Sequence, residues 1–271
     1  MSLKVLATQR YDLILNILNE NGAVRVLDLV EQLGVSDMTV RRDLDYLALQ
    51  GQLVKVHGGA TVVRDSSALE PAFQIKSGLE KSAKDAIGHE VLSLVQPGAA
   101  IAINGGTTTA AAATYLATIP NITVVTNSLK VAEKMWASKV QGQVVILSGG
   151  IRTPSEALVG PVAIENIRSL HLDFLFMGVH GMSLQAGFTS PNLMEAETNR
   201  TFMESAGEII VLADSTKWGV KGLASIAPLN EANKIITDAN ISHDAVKSIE
   251  AIGVKIIRAA SSPSAIGEEA S

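Results

Sequence analysis

The sequence predicts an α/β protein: a mostly parallel sheet with helices, preceded by a small helical module closed by a hairpin. Two observations carry this. From residue 79 onward, short apolar runs alternate with helix-period stretches, the pattern of repeated strand–helix units. Before residue 64, three short helix-period segments lead into two strand-like runs around a His-Gly-Gly turn. The length, 271 residues, holds either one large domain or a small plus a medium one, and 47% hydrophobic content supplies a large core.

Composition narrows the function classes. There is no cysteine, which excludes disulfides and thiolate metal sites and fits a reducing cytoplasm. No apolar run is long enough for a membrane span, and no charged start leads into an apolar run as in a secretory leader. Net charge is -5, which argues against a protein that coats nucleic acid non-specifically. Residues 1–60 carry six Lys/Arg and seven Asp/Glu. Any nucleic-acid contact there requires charge sorted by face.

In the first sixty residues, Leu6, Leu13/Ile14 and Ile17/Leu18 recur at helical spacing, so Leu3 to Glu20 reads as a helix ended by Asn21-Gly22. Val24 adds a short extended piece. Val26 to Leu33 is a second helix, and Gly34 stands where a left-handed residue closes it. The third runs from Ser36, a good N-cap, to Leu47, with Val40, Leu44 and Leu47 as one apolar stripe. Its other face carries Thr39, Arg41, Arg42 and Asp43. Two short helices joined by a tight Gly turn form a helix-turn-helix, and a helix with one apolar stripe and a polar leading end suits a major groove. An ordinary surface helix with two solvated arginines satisfies this segment equally well. Gly51 to Val63 then reads as a two-stranded wing, where Lys55, His57 and Arg64 can meet phosphates.

Arg64 to Gly78, with Asp65-Ser66-Ser67 and Pro71 and no sustained period, reads as a linker. Helices are then expected over 81–95, 107–116, 129–137, 161–168 and 195–205. Strands are expected over 99–103, 122–126, 144–147, 174–177, 209–213 and 234–237. His243 to Ile257 supplies a last helix and strand, and residues 259–271 read as a disordered tail. Runs such as Val144-Val145-Ile146-Leu147 and Ile209-Ile210-Val211-Leu212 are apolar enough to be buried on both faces. The domain limits are therefore 1–63, linker 64–78, 79–258 and tail.

Ligands of open α/β sheets sit beyond the carboxyl ends of the strands. After Ile103 comes Asn104-Gly105-Gly106-Thr107-Thr108-Thr109, where glycines admit a ligand, a helix start offers free N–H groups, and hydroxyls add donors. It is neither a Walker loop nor GxGxxG. A plain strand-to-helix turn with a Thr cap is the alternative. Thr126-Asn127, Gly150, Arg152, Gly178 and Lys217 stand at other strand ends, and Lys84 lies near a helix start. Lys84, Arg152 and Lys217 can neutralise an anion that Thr and Gly only cradle.

Two stretches then resemble a known family. SDMTVRRDLDYL followed by GQLVKVHGGA resembles the N-terminal domain of DeoR-type bacterial transcriptional regulators. GGTTT, VVTNSLKVA, LSGGIR, LVGP, GFTSPNLMEAE, LADSTKWG and IITD resemble their sensor domain in the right order, over roughly residues 3–240. The resemblance implies a winged helix-turn-helix whose leading residues Ser36, Asp37, Met38, Thr39, Arg41 and Arg42, with Lys55 and His57, face operator DNA. Asp43 is expected to orient a neighbouring arginine. It also implies a sensor domain similar in fold to ribose-5-phosphate isomerase and CoA transferases, binding a phosphorylated sugar or related metabolite through Lys84, Asn104, Gly106, Thr107, Thr108, Thr126, Asn127, Gly150, Arg152 and Lys217. Gly105, Thr109 and Gly178 join this rim by position. The implied assembly is a homo-oligomer, dimer or tetramer. The sequence departs from the family at two places: Asn104 where Asp is common, and Asn199 where Lys is common.

The rival is a sugar-phosphate isomerase with a DNA-binding appendage. Such an enzyme needs a general base by the substrate carbon. The segment Met177 to Met182 has no acid, and His180 is its only candidate base. Glu195, Glu197 and Asp214 remain, with Asp214 expected to orient Lys217. A protein–protein adaptor built on the winged module is a third class, and it would show no salt-sensitive DNA binding. The expectation is a repressor with no catalytic residue, metal or cofactor.

Overall fold

The structure, a computed structural model, describes residues 7–21, 23–56, 58–62 and 80–260. These form two compact units, 7–62 and 80–260. Residues 3–6, His57, Arg64, the linker expected over 64–78 and the tail from 261 lie outside the described residues.

The first unit runs α1 (Ala7–Asn21), β1 (Ala23–Arg25), α2 (Val26–Leu33), α3 (Asp37–Leu49), β2 (Leu53–Val56) and β3 (Gly59–Val62). Gly34, at φ 63°, closes α2 by donating its N–H to Val30. Ser36 caps α3, its hydroxyl accepting from the Thr39 N–H at 3.3 Å. The stripe Val40, Leu44 and Leu47 is fully buried against Ile14, Leu18, Leu29 and Leu53. The strands form an antiparallel sheet in the order β1-β3-β2, so the wing is anchored to the piece between the first two helices. Asp43 departs from expectation. It is 1% exposed and grips Arg10 of α1, Arg10 Nε and Nη2 donating to its two oxygens at 2.8 and 3.1 Å. It does hold an arginine, but one from another helix and on the core side of α3.

The second unit contains α4 (Lys81–His89), β4 (Ala100–Ile103), α5 (Thr107–Leu116), β5 (Thr123–Thr126), α6 (Leu129–Ala137), β6 (Val144–Leu147), β7 (Ile151–Arg152), β8 (Leu158–Val159), α7 (Pro161–Arg168), β9 (Leu172–Gly178), β10 (Gly181–Ser183), β11 (Gly187–Ser190), α8 (Leu193–Ser205), β12 (Ala206–Leu212), β13 (Ala224–Ala227), β14 (Lys234–Asp238), α9 (His243–Glu250) and β15 (Lys255–Ala259). Seven strands make one parallel sheet, in the order β15-β14-β12-β9-β4-β5-β6. Helices α4, α5 and α6 cover one face through Ile87, Leu116, Val131 and Met135. Helices α7, α8 and α9 cover the other through Ile167, Phe202 and Ile249.

Local chemistry explains the sharpest boundaries. Ser128 caps α6 by accepting the Val131 N–H, and Pro161 opens α7 at its first turn, where a missing N–H costs nothing. The helix expected over 81–95 stops at His89 and continues as a single tight turn, Glu90–Ser93. At Gly88 a Cβ would stand 2.8 Å from the Ala112 nitrogen, so glycine there lets α4 press against the backbone of α5.

Two strand expectations change. The run Ile209 to Leu212 is buried, as read, because β12 lies inside the sheet. Val144 to Leu147 is not: β6 is an edge strand, with Val144 51% and Ile146 40% exposed. The final strand reaches Ala259, one residue into the expected tail. The small antiparallel sheet β10-β11-β13 and the hairpin β7-β8 have no counterpart in the sequence reading.

Candidate functional site

The polar face of α3 is exposed at Asp37, Met38, Arg41 and Arg42. Met38 is 81% exposed at the leading end. The Ser36 and Thr39 hydroxyls lie 2.9 Å apart, so the cap also orients Thr39. Arg41 is held by Asp37 one turn back, Nε and Nη2 meeting the two carboxylate oxygens at 2.6 and 3.2 Å. The hydrogen bond to Asp37 raises the already high pKa of this guanidinium. Lys55 of the wing pairs with Asp45 of α3. Arg42 has no hydrogen bond or ion pair among the described residues. Two of the cations expected at DNA thus carry their own carboxylate partners on the same surface, and Arg42 is the arginine of this face that is left without one among the described residues. The i,i+4 spacing of Asp37 and Arg41 was a visible signal. The Asp45–Lys55 pair depends on how the wing folds back.

In the second unit the sheet order reverses between β4 and β9. From β4 the chain winds outward through β5 and β6, then returns to β9 and winds the other way through β12, β14 and β15. A crevice opens at such a switch point, beyond the carboxyl ends of the two strands. Asn104 follows β4 and Gly178 ends β9, and the two are stapled together. Asn104 Nδ2 donates to the Gly178 carbonyl at 2.9 Å, and the Gly178 N–H donates to Asn104 Oδ1 at 2.8 Å. Asn104 Nδ2 also donates to Asn199 Oδ1 of α8 at 3.0 Å. The two positions at which the sequence departs from the family resemblance are therefore partners: a neutral amide pair stands where opposite charges are common.

Around this staple, Gly106 is the N-cap of α5 and the helix has no side-chain cap, so its first N–H groups face the crevice without a side-chain acceptor. Thr107 is half-buried at its mouth. Thr107, Lys81, Lys84, Asp85, Thr114 and Lys134 line a cleft of about 230 Å³ with Ala110 and Ala111 at its base. Lys84 is only 5% exposed, a cation held beside the start of α5. Lys217 is half-buried in the short turn Ser215–Lys217 and has no ion pair among the described residues.

Other rim residues are engaged internally. Thr126 is fully buried, donating to the Ile103 carbonyl at 2.6 Å and accepting from the Ser128 N–H. Asn127 accepts from the Gly105 N–H and donates to the Leu158 carbonyl. Thr109 is buried, its hydroxyl on the Gly106 carbonyl, and Thr108 is buried as well, at 6% exposure, which leaves Thr107 as the member of the three that is not buried. Gly105 and Gly150 let neighbouring chain pass close: a Cβ at Gly105 would lie 2.6 Å from Ala157 Cβ, and one at Gly150, φ 116°, would lie 2.5 Å from the Val159 carbonyl. Arg152 is exposed on the β7-β8 hairpin and paired with Glu156, which raises its pKa. Asp214 does not hold the Lys217 ammonium. It caps the following turn, accepting from the Thr216 N–H and hydroxyl. Sequence reasoning missed Thr153, whose hydroxyl donates to Glu195 at 2.7 Å and ties the hairpin to α8. No sequence spacing links two residues so far apart.

Residues 10–66 match the DeoR-like helix-turn-helix domain, and residues 79–239 match the DeoR C terminal sensor domain. This chain belongs to the DeoR family of transcriptional regulators. It is 31% identical over 252 residues to a putative aga operon transcriptional repressor of Escherichia coli O157:H7, covering 92% of this chain and 93% of that one. It is 27% identical over 232 residues to the glycerol-3-phosphate regulon repressor of Escherichia coli K12, covering 86% and 91%. Among solved structures, a D-ribose-5-phosphate isomerase in complex with phospho-erythronic acid superposes with a TM-score of 0.38 and 16% identity, over 51% of this chain and 54% of that one. That likeness is too distant to carry chemistry across. Among the described residues no helix is long and apolar enough to cross a membrane, and no cluster of His, Asp and Glu is arranged to hold a metal.

Proposed function

We propose that this protein is a transcriptional repressor of sugar or carbon metabolism genes whose operator affinity is set by a phosphorylated sugar or related metabolite. The observation that carries the reading is the switch point between β4 and β9. It brings the uncapped start of α5, Thr107 and the buried Lys84 to one crevice, which suits a phosphate dianion. Asn104 and Gly178 are bonded to each other at the strand ends from which α5 departs, and Lys217 stands at a neighbouring strand end. Thr109, Thr126 and Asn127 brace those strand ends instead of touching the ligand. At the other unit, Arg42, Thr39 and Met38 enter the major groove, with Ser36, Arg41 and Lys55 at its edge. Arg41 exchanges its bonds to Asp37 for the phosphate backbone as DNA docks. The protein acts in the cytoplasm as a homo-oligomer that presents recognition helices to two half-sites.

Regulation requires the effector to bind the DNA-competent and DNA-incompetent states with different affinity. The test is a thermal-shift screen against phosphorylated sugars and their unphosphorylated counterparts, followed by operator titration with and without the hit. Selective stabilisation by a phosphosugar, lost in Lys84→Ala or Thr107→Val, is expected. Equal stabilisation by the unphosphorylated sugar would overturn the phosphate assignment. The protein is not an isomerase: it lacks a carboxylate on the segment that follows β9. Steady interconversion of aldose and ketose phosphates, abolished by His180→Ala, would reverse that.

A further inference from the structure

The two edges of the seven-stranded sheet are treated differently by the sequence. An open edge offers unpaired N–H and C=O groups to any other strand, and proteins that keep such an edge free place charges on it. The β15 edge does so, with Lys255 and Arg258 exposed on a five-residue strand. The β6 edge carries Val-Val-Ile-Leu and no charge at all. In its ladder to β5, Val144 and Ser148 donate inward to Ile122 and Thr126. Val145 and Leu147, the alternate residues, therefore turn their N–H and C=O groups to the open side.

The surface beside this edge carries further exposed aliphatic side chains. Val144 and Ile146 point to the face that α7 covers, since Val145 packs into the cluster on the opposite face. Ser148, next along the strand, accepts from Asn166 of α7 at 2.9 Å. A Cβ on Gly149 would touch Val162 at 3.5 Å, and one on Gly160 would touch Ile151 at 3.6 Å. Val162 and Ile151 are 59% and 58% exposed. With Val144 and Ile146 they expose on the order of 300 Å² of aliphatic surface, the scale at which a patch on a monomer marks an interaction site.

We propose that a second copy of this chain covers the β6 edge, pairing β6 antiparallel with its own counterpart about a two-fold axis perpendicular to the sheet. Only residues that face outward can exchange hydrogen bonds, so Val145 pairs with Leu147 of the second copy and Leu147 with its Val145. Ile146 then lies on the axis opposite its own counterpart. The axis keeps the same face of both sheets on one side, so the two aliphatic patches merge. Each copy contributes one such patch, and strand pairing and a polar rim supply the rest of the roughly 800 Å² per partner that a stable dimer buries. The occupant is a second copy because the outward-facing Val145 and Leu147 make this uncharged edge self-complementary about Ile146, and an isologous contact of that kind supplies the two-fold that two half-sites of a regulator call for. In that respect the inference rests on the regulator reading.

The test uses the full chain and needs neither DNA nor effector. Because the protein has no cysteine, Ile146→Cys introduces a single thiol. Directly opposed residues of this kind stand about 4.5 Å apart at Cα, within disulfide reach. Mild oxidation is expected to convert Ile146→Cys to a covalent dimer at least tenfold faster than Leu184→Cys, an equally exposed aliphatic site away from this edge. Ile146→Lys is expected to halve the mass seen by light scattering while far-ultraviolet circular dichroism stays native. Equal crosslinking of the two cysteine variants, an unchanged mass for folded Ile146→Lys, or a monomeric parent chain would each overturn the proposal. Loss of operator or phosphosugar binding in the parent chain would instead count against the regulator reading.

Discussion

Replacing Asp43 by Ala separates two roles by sign. If Asp43 lay on the DNA face, removing its charge beside phosphate would strengthen binding and leave stability untouched. The structure puts it 1% exposed against Arg10, itself 8% exposed, through two short hydrogen bonds. Breaking a buried pair leaves a charge without its counter-charge and costs about 3–5 kcal/mol. A module of this size is stable by only about 3–9 kcal/mol, at roughly 0.05–0.15 kcal/mol per residue. Asp43→Ala should therefore remove about half or more of the stability of the winged module and weaken operator binding, while the sensor unit is unaffected. Amide hydrogen exchange read by mass spectrometry resolves the two: protection should fall over residues 7–62 and persist unchanged over 80–260. The double change Arg10→Met with Asp43→Leu removes both charges and should restore protection. Stability loss below about 1 kcal/mol with tighter DNA binding would refute the placement of Asp43 in the core.

Other perturbations test the remaining assignments. Arg42→Ala should weaken operator binding by about 1–3 kcal/mol if it meets a base edge with two bonds, measured by fluorescence anisotropy, and a loss under a few tenths would remove it from the groove. Asp37→Asn frees Arg41 and should tighten non-specific DNA binding with a steeper salt dependence, since one more cation displaces counterions; an unchanged slope would mean that Arg41 never reaches phosphate. Asn104→Ala strands the Gly178 N–H and carbonyl and should lower sensor stability by about 1–3 kcal/mol in urea denaturation, whereas Asn104→Asp, which keeps the acceptor for the Gly178 N–H, should also change the phosphosugar preference. Gly88→Val drives a side chain into the α5 backbone and should lower the melting temperature of the sensor unit; a neutral result would show that the two helices stand farther apart.

Much of the local structure was readable because its causes are local. The helices Val26–Leu33, Thr107–Leu116, Leu129–Ala137 and Pro161–Arg168 have the bounds read from the sequence, with Gly34 closing the first, Ser128 capping the third and Pro161 opening the fourth. The apolar stripe of α3 was read correctly because a period of 3.6 needs only neighbours along the chain. The strands β7, β8, β10, β11 and β13 were missed because they are either two residues long or, like GMS, GFTS and ASIA, broken by glycine and hydroxyl residues, whereas the equally short β4 and β6 are apolar runs.

The sequence by itself determined the alternation of strand and helix, the helix-turn-helix with its wing, the glycine- and threonine-rich strand ends, and so the family. Tertiary structure decided which of those residues are used. Strand order put the reversal between β4 and β9 and thereby brought Asn104 and Gly178 together. It also made β6 an edge, though its residues are as apolar as those of buried β12. Folding across elements turned Asp43 inward to Arg10 and set Asp45 beside Lys55. Pairing register, burial and sheet order are relations between distant segments, and hydrophobic periodicity along one segment has no term for its neighbours in space.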